Sequence, residues 1–167
     1  MSDASSRPHV AVLGAGSWGT ALAALACPRS DVMLWSRDPD QAHSLNSRHV
    51  NDKYLPDIPL PPELRATADF DTAVAHACRD AHGAGLVILG VPVAGLADTC
   101  ERLADSVSRL GHGPIGVVWT CKGFQQETGL LPHQLVQAAL PADPSIGLGV
   151  LSGPSFADEV ARGLPVA

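Results

Sequence analysis

Three glycines, Gly14, Gly16 and Gly19, stand in a G-x-G-x-x-G spacing within "VLGAGSWGTALA", straight after the apolar run Val10–Leu13 and straight before an alanine-rich run of helix formers. Strand, bare turn and helix in that order are what a phosphate-binding turn needs. Gly14 lets the chain turn tightly, Gly16 removes the side chain that would block a pyrophosphate, and Gly19 lets helix and strand pack closely. The helix N-terminus then offers free N–H groups to the phosphates. A glycine-rich turn used only for packing is the competing reading, and the two correct flanks weigh against it.

Three further stretches carry chemistry. An acid normally closes the second strand about 20 residues on, where it binds a ribose 2'-hydroxyl. Here the chain reads "LWSRDP". Ser36 and Arg37 occupy that position, a small neutral residue and a fixed cation suited to a 2'-phosphate, while Asp38 is better explained as a helix cap. NADP use is thereby permitted, with a solvated arginine at a strand end as the alternative. "WTCKGF" places Lys122 just beyond the carboxyl end of an apolar strand, where open α/β sheets bind ligands. It could hold an anionic substrate or polarise a carbonyl, and a plain surface lysine is the other reading. "LSGPSFADE" repeats the geometry at the next strand end. Gly153 and Pro154 bring backbone close to the cleft, and Ser155 begins a helix as its N-cap, as a substrate contact, or as both.

The elements that must position these residues alternate. Strands are predicted at Val10–Leu13, Asp31–Trp35, Gly85–Val91, Ile115–Trp119 and Ile146–Leu151, the Gly85 strand apolar enough to be buried on both faces. Helices are predicted at Ser17–Ala26, from the Asp38-Pro39 cap to Arg48, and at Asp69–Asp80, Val93–Leu110, Gly129–Leu140 and Ser152–Arg162. "HVNDKYLPDIPLPP", His49 to Pro62, carries proline without a sustained period and reads as a long surface loop of the kind that often serves function. The alternation predicts an α/β fold, a doubly wound parallel sheet of Rossmann type with helices on both faces.

With 167 residues, 46% hydrophobic and 17% charged, the chain suits one domain, 1–167, with a sizeable core. The net charge of -6 is spread along the chain with no basic stripe, so no nucleic-acid partner is expected. No apolar stretch approaches the roughly 20 residues of a membrane helix, and a soluble, cytoplasmic protein is expected. Cys27, Cys78, Cys100 and Cys121 form no CxxC pair and read as reduced thiols. In "HACRDAH", His76 would point away from Cys78 and His82 on a helix, so the segment reads as a solvated helix end and no metal is expected. The final "GLPVA" turns apolar and stops, which suggests a continuation.

Together, "VLGAGSWGTALA", "LWSRDP", "NDKYLP", "VILGVPV", "TCKGF" followed by "ETGLL", and "LSGPSFADEVARGLPVA" closely resemble the bacterial NAD(P)-dependent glycerol-3-phosphate dehydrogenases. The KGF and SGPSFA pair is far more specific than the glycine fingerprint. The resemblance implies reversible reduction of dihydroxyacetone phosphate to sn-glycerol 3-phosphate, a phospholipid precursor, with NADP or NAD as cofactor. It implies that Gly14, Gly16, Ser17, Trp18 and Gly19 line the cofactor and that Arg37 holds the adenosine 2'-phosphate. Lys122 would lie between cofactor and substrate, Gly153 and Ser155 would touch the substrate, and Ala157 would lie near the nicotinamide. It also implies a second, helical domain, absent from these residues, that supplies the general acid/base lysine and the residues gripping the substrate phosphate. The chain is therefore expected to be the amino-terminal, cofactor-binding portion of such an enzyme, with no catalytic residue of its own, and the family allows a homodimer of the full-length protein. A stand-alone NADPH-binding sensor or scaffold without catalysis is the alternative.

Overall fold

The computed structural model describes residues 7–79, 85–140, 142–153 and 156–165. Among these residues six parallel strands form one sheet: β1 (His9–Leu13), β2 (Asp31–Trp35), β3 (Arg65–Thr67), β4 (Gly85–Leu89), β5 (Ile115–Trp119) and β6 (Ile146–Val150). Their order is β3-β2-β1-β4-β5-β6. The helices are α1 (Ser17–Ala26), α2 (Pro39–Arg48), α3 (Phe70–Cys78), α4 (Leu96–Leu110), α5 (Pro132–Ala139) and α6 (Ala157–Ala161). The chain runs outward from β1 in one direction to β3 and in the other to β6, so the strand order reverses between β1 and β4. A crevice outside the carboxyl ends of those two strands is where such sheets take ligands.

Period-two alternation divides the core. Ala11, Leu13, Met33, Trp35, Val87, Leu89 and Val117 face one way, against Phe70 and Val74 of α3, Leu96 and Leu103 of α4, and Val136 of α5. Val10, Val12, Val32, Leu34 and Ile88 face the other, against Leu22 and Ala23 of α1 and Ala42 and Leu45 of α2. Both faces being covered explains the near-continuous apolar text of β1 and β4. Asp38 caps α2 as expected, its carboxylate accepting from the Asp40 and Gln41 N–H groups, and Asp69 caps α3 through the Thr72 N–H.

The structure corrects several expectations. β3 was not foreseen: three residues are too few for a periodic signal, and it is held from outside. It pairs with β2 from Met33↔Arg65 to Trp35↔Thr67, and Asn46 of α2 mimics another strand by exchanging hydrogen bonds of 2.8 and 2.9 Å with Ala66. β4 ends at Leu89, and one 3-10 turn, Val93–Gly95, precedes α4 after Pro92. α5 starts at Pro132 because Gly129, at φ +70°, closes a turn from Gln125 to Leu130. α6 opens only at Ala157 with Phe156 in the N-cap position expected of Ser155; Pro154 and Ser155 lie outside the described residues. The 49–62 segment is not simply a surface loop, since Asn51, Leu55, Ile58 and Leu60 are buried.

His76 is not at a solvated helix end either. It is 1% exposed, and its Nε2 lies 2.9 Å from the Asp31 carbonyl oxygen. A carbonyl only accepts, so Nε2 carries the proton, and the buried Nδ1 is left without a partner. Cys78 is half-buried, and His82 lies outside the described residues. Burial pushes the His76 pKa down, against the opposing pull of Asp31, with Arg65 and His9 adding to the depression. A folded-state pKa below the unfolded value means that the unfolded chain takes up the proton first as pH falls. Stability should therefore decline as pH drops below about 6.5, with a slope approaching ~1.4 kcal/mol per pH unit for one proton. Urea unfolding at about pH 7.5 and 5.5, bracketing the ordinary histidine pKa, should show this loss, reduced in His76→Gln. An undiminished loss in that variant would assign the effect to other groups.

Candidate functional site

The three fingerprint glycines differ in what confines them. Gly14 sits at φ +120°, and a Cβ there would lie 2.8 Å from the Gly90 carbonyl oxygen. A Cβ on Gly19 would come within 1.9 Å of the Gly14 carbonyl oxygen. A Cβ on Gly90 would meet the Gly19 Cα at 3.0 Å, so the last residue before the β4 crossover belongs to the same close approach. Sequence reasoning did not single out Gly90, although it ends "VILG" where the neighbouring strand ends "VLG". Around Gly16, by contrast, an added Cβ would meet nothing within 4 Å. Its backbone, φ -74° and ψ -174°, is one any residue adopts, so its bareness has no packing reason.

The N-terminus of α1 is open in the same way. No side chain caps it and no acid stands in its first turn, unlike α2 and α3 with their aspartate caps. Its first N–H groups and its dipole are therefore available to an anion from outside the chain.

On one side of the turn lies a groove of about 570 Å³. Gly14, Ala15 and Gly16 line it with Ser36, Arg37, Gln41 and Tyr54, opposite Gly90, Val91, Pro92 and the first face of α4. Arg37 is exposed, and among the described residues no ion pair holds it. A second cation, Arg102, lies 4.1 Å above the Phe70 ring and 5.2 Å from the Trp35 ring at the groove wall. The sequence signal for it was the helical spacing of Gly95, Asp98, Thr99 and Arg102, four residues on one face.

On the other side of the turn, Ser17, Trp18, Thr120, Lys122, Leu151, Gly153, Phe156 and Ala157 surround a recess of about 290 Å³. The structure thus brings the candidates Ser17, Trp18, Lys122, Gly153 and Ala157 together around one recess, at the carboxyl ends of β5 and β6. Lys122 donates from Nζ to the Gly153 carbonyl oxygen at 2.6 Å, which ties the ammonium to the segment following β6. α6 is seated by Val160 on Ala21 of α1, with Leu55 and Ile58 beside it, and this contact sets Ala157 beside Trp18. Among the described residues no group of three His, Cys, Asp or Glu side chains is placed to hold a metal ion. No helix there is long and apolar enough to cross a membrane. All four cysteines are unbridged, and burial raises the Cys27 and Cys100 thiols to about 11 and about 12, which keeps them protonated and unreactive.

The family profile described as "NAD-dependent glycerol-3-phosphate dehydrogenase N-terminus" matches residues 9–167. The chain belongs to this family. The glycerol-3-phosphate dehydrogenase (NAD(P)+) of Cupriavidus taiwanensis is 49% identical over 158 residues, covering 93% of this chain and 45% of that protein. The same-named protein of Burkholderia orbicola is 50% identical over 158 residues, covering 95% of this chain and 45% of its own length. A crystal structure of glycerol-3-phosphate dehydrogenase from Coxiella burnetii superposes with a TM-score of 0.76 at 32% identity, covering 95% of this chain and 45% of that one. The chain thus spans a little under half the length of the curated relatives it matches.

Proposed function

We propose that this chain is the nucleotide-binding part of a glycerol-3-phosphate dehydrogenase, holding NADP or NAD across the carboxyl ends of β1 and β4. The observation that carries the reading is Gly16: its missing side chain opens onto the groove rather than onto any neighbour, beside an uncapped helix N-terminus. Residues present fit the nucleotide along its length. Gly14 to Gly19 and the α1 N–H groups suit the pyrophosphate, and Arg37 suits an adenosine 2'-phosphate. Ser17, Trp18 and Ala157 suit the nicotinamide end. When bound, the nicotinamide supplies or accepts the hydride.

Lys122 is assigned to the substrate side. Its ammonium, steadied by the Gly153 carbonyl, stands where it can attract the phosphate or ketone oxygen of dihydroxyacetone phosphate, and Ser155 is assigned to the same substrate. The small-molecule partner is then dihydroxyacetone phosphate or sn-glycerol 3-phosphate, and a cytoplasmic location follows from that role in phospholipid precursor supply.

Arg37 tests the reading at the adenosine end. A guanidinium bonds a 2'-phosphate that NADH lacks, and a charged hydrogen bond contributes about 1.5 to 3 kcal/mol. Arg37→Ala should weaken NADPH roughly 10- to 150-fold and leave NADH nearly unchanged, as measured by titration calorimetry. Equal weakening of both would make Arg37 a solvated strand-end residue.

A further inference from the structure

From the groove wall inward runs a chain of side-chain amides, Gln41 half-buried and Asn51 buried, that no fingerprint residue explains. Asn51, 2% exposed, donates from Nδ2 to the Ala15 carbonyl oxygen at 3.1 Å and to Thr20 Oγ1 at 2.8 Å. Its Oδ1 accepts from Gln41 Nε2 at 3.1 Å, and the same Nε2 donates to the Ala15 carbonyl oxygen at 2.8 Å. Gln41 Oε1 in turn accepts from Ser36 Oγ at 2.7 Å, and Ser36 Oγ accepts from the Asp38 N–H at 3.1 Å. The Asn51 backbone oxygen accepts from the N–H groups of Tyr54 and Leu55, which forms the turn presenting Tyr54 to the groove.

We propose that Asn51 is a positioning residue: its carboxamide, with that of Gln41, clamps the Ala15 carbonyl and ties the glycine turn to the Ser36–Arg37 turn and to the Tyr54 turn. The inference rests on the nucleotide-binding reading above. Ala15 lies between Gly14 and Gly16, in a stretch with little conformational restraint of its own, since glycine tolerates many backbone angles. Two amide donors on one carbonyl oxygen select a single orientation of the Ala15–Gly16 peptide, and hence the direction in which the Gly16 N–H points. Thr20, buried one turn into α1, anchors the clamp to the helix that receives the phosphates. Gln41 carries the restraint to Ser36, the residue before Arg37. Such a fully bonded network, buried at Asn51 and Thr20, rigidifies what it touches, and removal of one member strands the others. The two elements that grip opposite ends of the nucleotide are thereby set relative to one another before any ligand arrives, which lowers the ordering cost of binding.

The test compares wild type with Asn51→Ala, Asn51→Asp and Gln41→Leu, at a temperature where circular dichroism shows each folded. NADPH and NADH dissociation constants are read by fluorescence titration. Amide hydrogen exchange of Gly16 and Ser17 is read without nucleotide. Asn51→Ala should weaken both nucleotides by a similar factor, roughly tenfold or more, and speed exchange at the glycine turn. Asn51→Asp keeps size and acceptor but loses the donors, and should not rescue either readout. Gln41→Leu breaks the link to Ser36 and should cost NADPH more than NADH. Wild-type dissociation constants and unchanged exchange in folded Asn51→Ala would make the network merely structural and overturn the proposal, as would full rescue by Asn51→Asp. If wild type bound neither nucleotide, the functional reading would fall, while the exchange data would still decide the clamp.

Discussion

Replacing Gly16 by valine should abolish nucleotide binding while leaving the fold in place. The expectation comes from the contrast among the three glycines. Gly14 and Gly19 are confined by backbone atoms, whereas a side chain on Gly16 would extend into open space. Its φ of -74° imposes no strain on valine, and the cost to folding is that of a poor N-cap residue, up to about 1 kcal/mol. The cost to binding is larger. An isopropyl group would occupy the space in which a pyrophosphate must approach the α1 N–H groups. Loss of two charged hydrogen bonds at about 1.5 to 3 kcal/mol each weakens binding by more than about 100-fold. Gly19→Ala is the informative control, since its methyl group would collide with the Gly14 carbonyl and destabilise the protein by about 1 to 3 kcal/mol or more. Calorimetric titration with NADPH, beside urea unfolding of each variant, separates the two. A folded Gly16→Val protein with wild-type affinity would remove the glycine turn from the binding site.

The same contrast shows what was legible in the sequence. Strand, turn and helix flanks announced the fingerprint because periodicity and glycine spacing are local signals, and the alternation of β and α text announced the parallel sheet. Arg37, Lys122 and Gly153 could be singled out as candidates because they sit at strand ends, and Ala157 because it lies in a short specific motif. What was missed is held by distant partners. β3 exists through its register with β2 and through Asn46, neither of which leaves a trace in "RAT". Gly90 matters because β4 lies next to β1, which is a fact of topology. Asn51 and Gln41 lie in a proline-rich loop and on an otherwise polar helix, and only the fold brings their amides onto Ala15. His76 was misjudged because a histidine beside a helix end reads as solvated until β2 is known to cover it.

Turnover is the sharper test of how far this chain goes by itself. The 167-residue chain is expected to bind nucleotide and yet show no useful reduction of dihydroxyacetone phosphate. Adding hydride to a ketone carbon leaves charge on its oxygen, and a positioned acid must deliver a proton there. Among the described residues lining the recess beside Lys122, the side chains with an N–H or O–H are those of Ser17, Trp18, Thr120 and Lys122, with no histidine or carboxylic acid among them. Thr120 donates to the Leu89 carbonyl oxygen, and the Lys122 ammonium is engaged by Gly153. Under the proposed assignment Lys122 attracts the substrate, and among the described residues lining the recess no further charged side chain stands beside it. Positioned proton transfer alone contributes roughly 10² to 10⁴ in rate, and full positioning of the reactants contributes more. NADPH consumption followed at about 340 nm should therefore stay at background for this chain. The full-length Cupriavidus taiwanensis relative, to which it is 49% identical, serves as the positive control. Turnover within about tenfold of that control, a difference of only ~1.4 kcal/mol in barrier, would show that Lys122 or another residue of this chain supplies the proton. Lys122→Met would then abolish it.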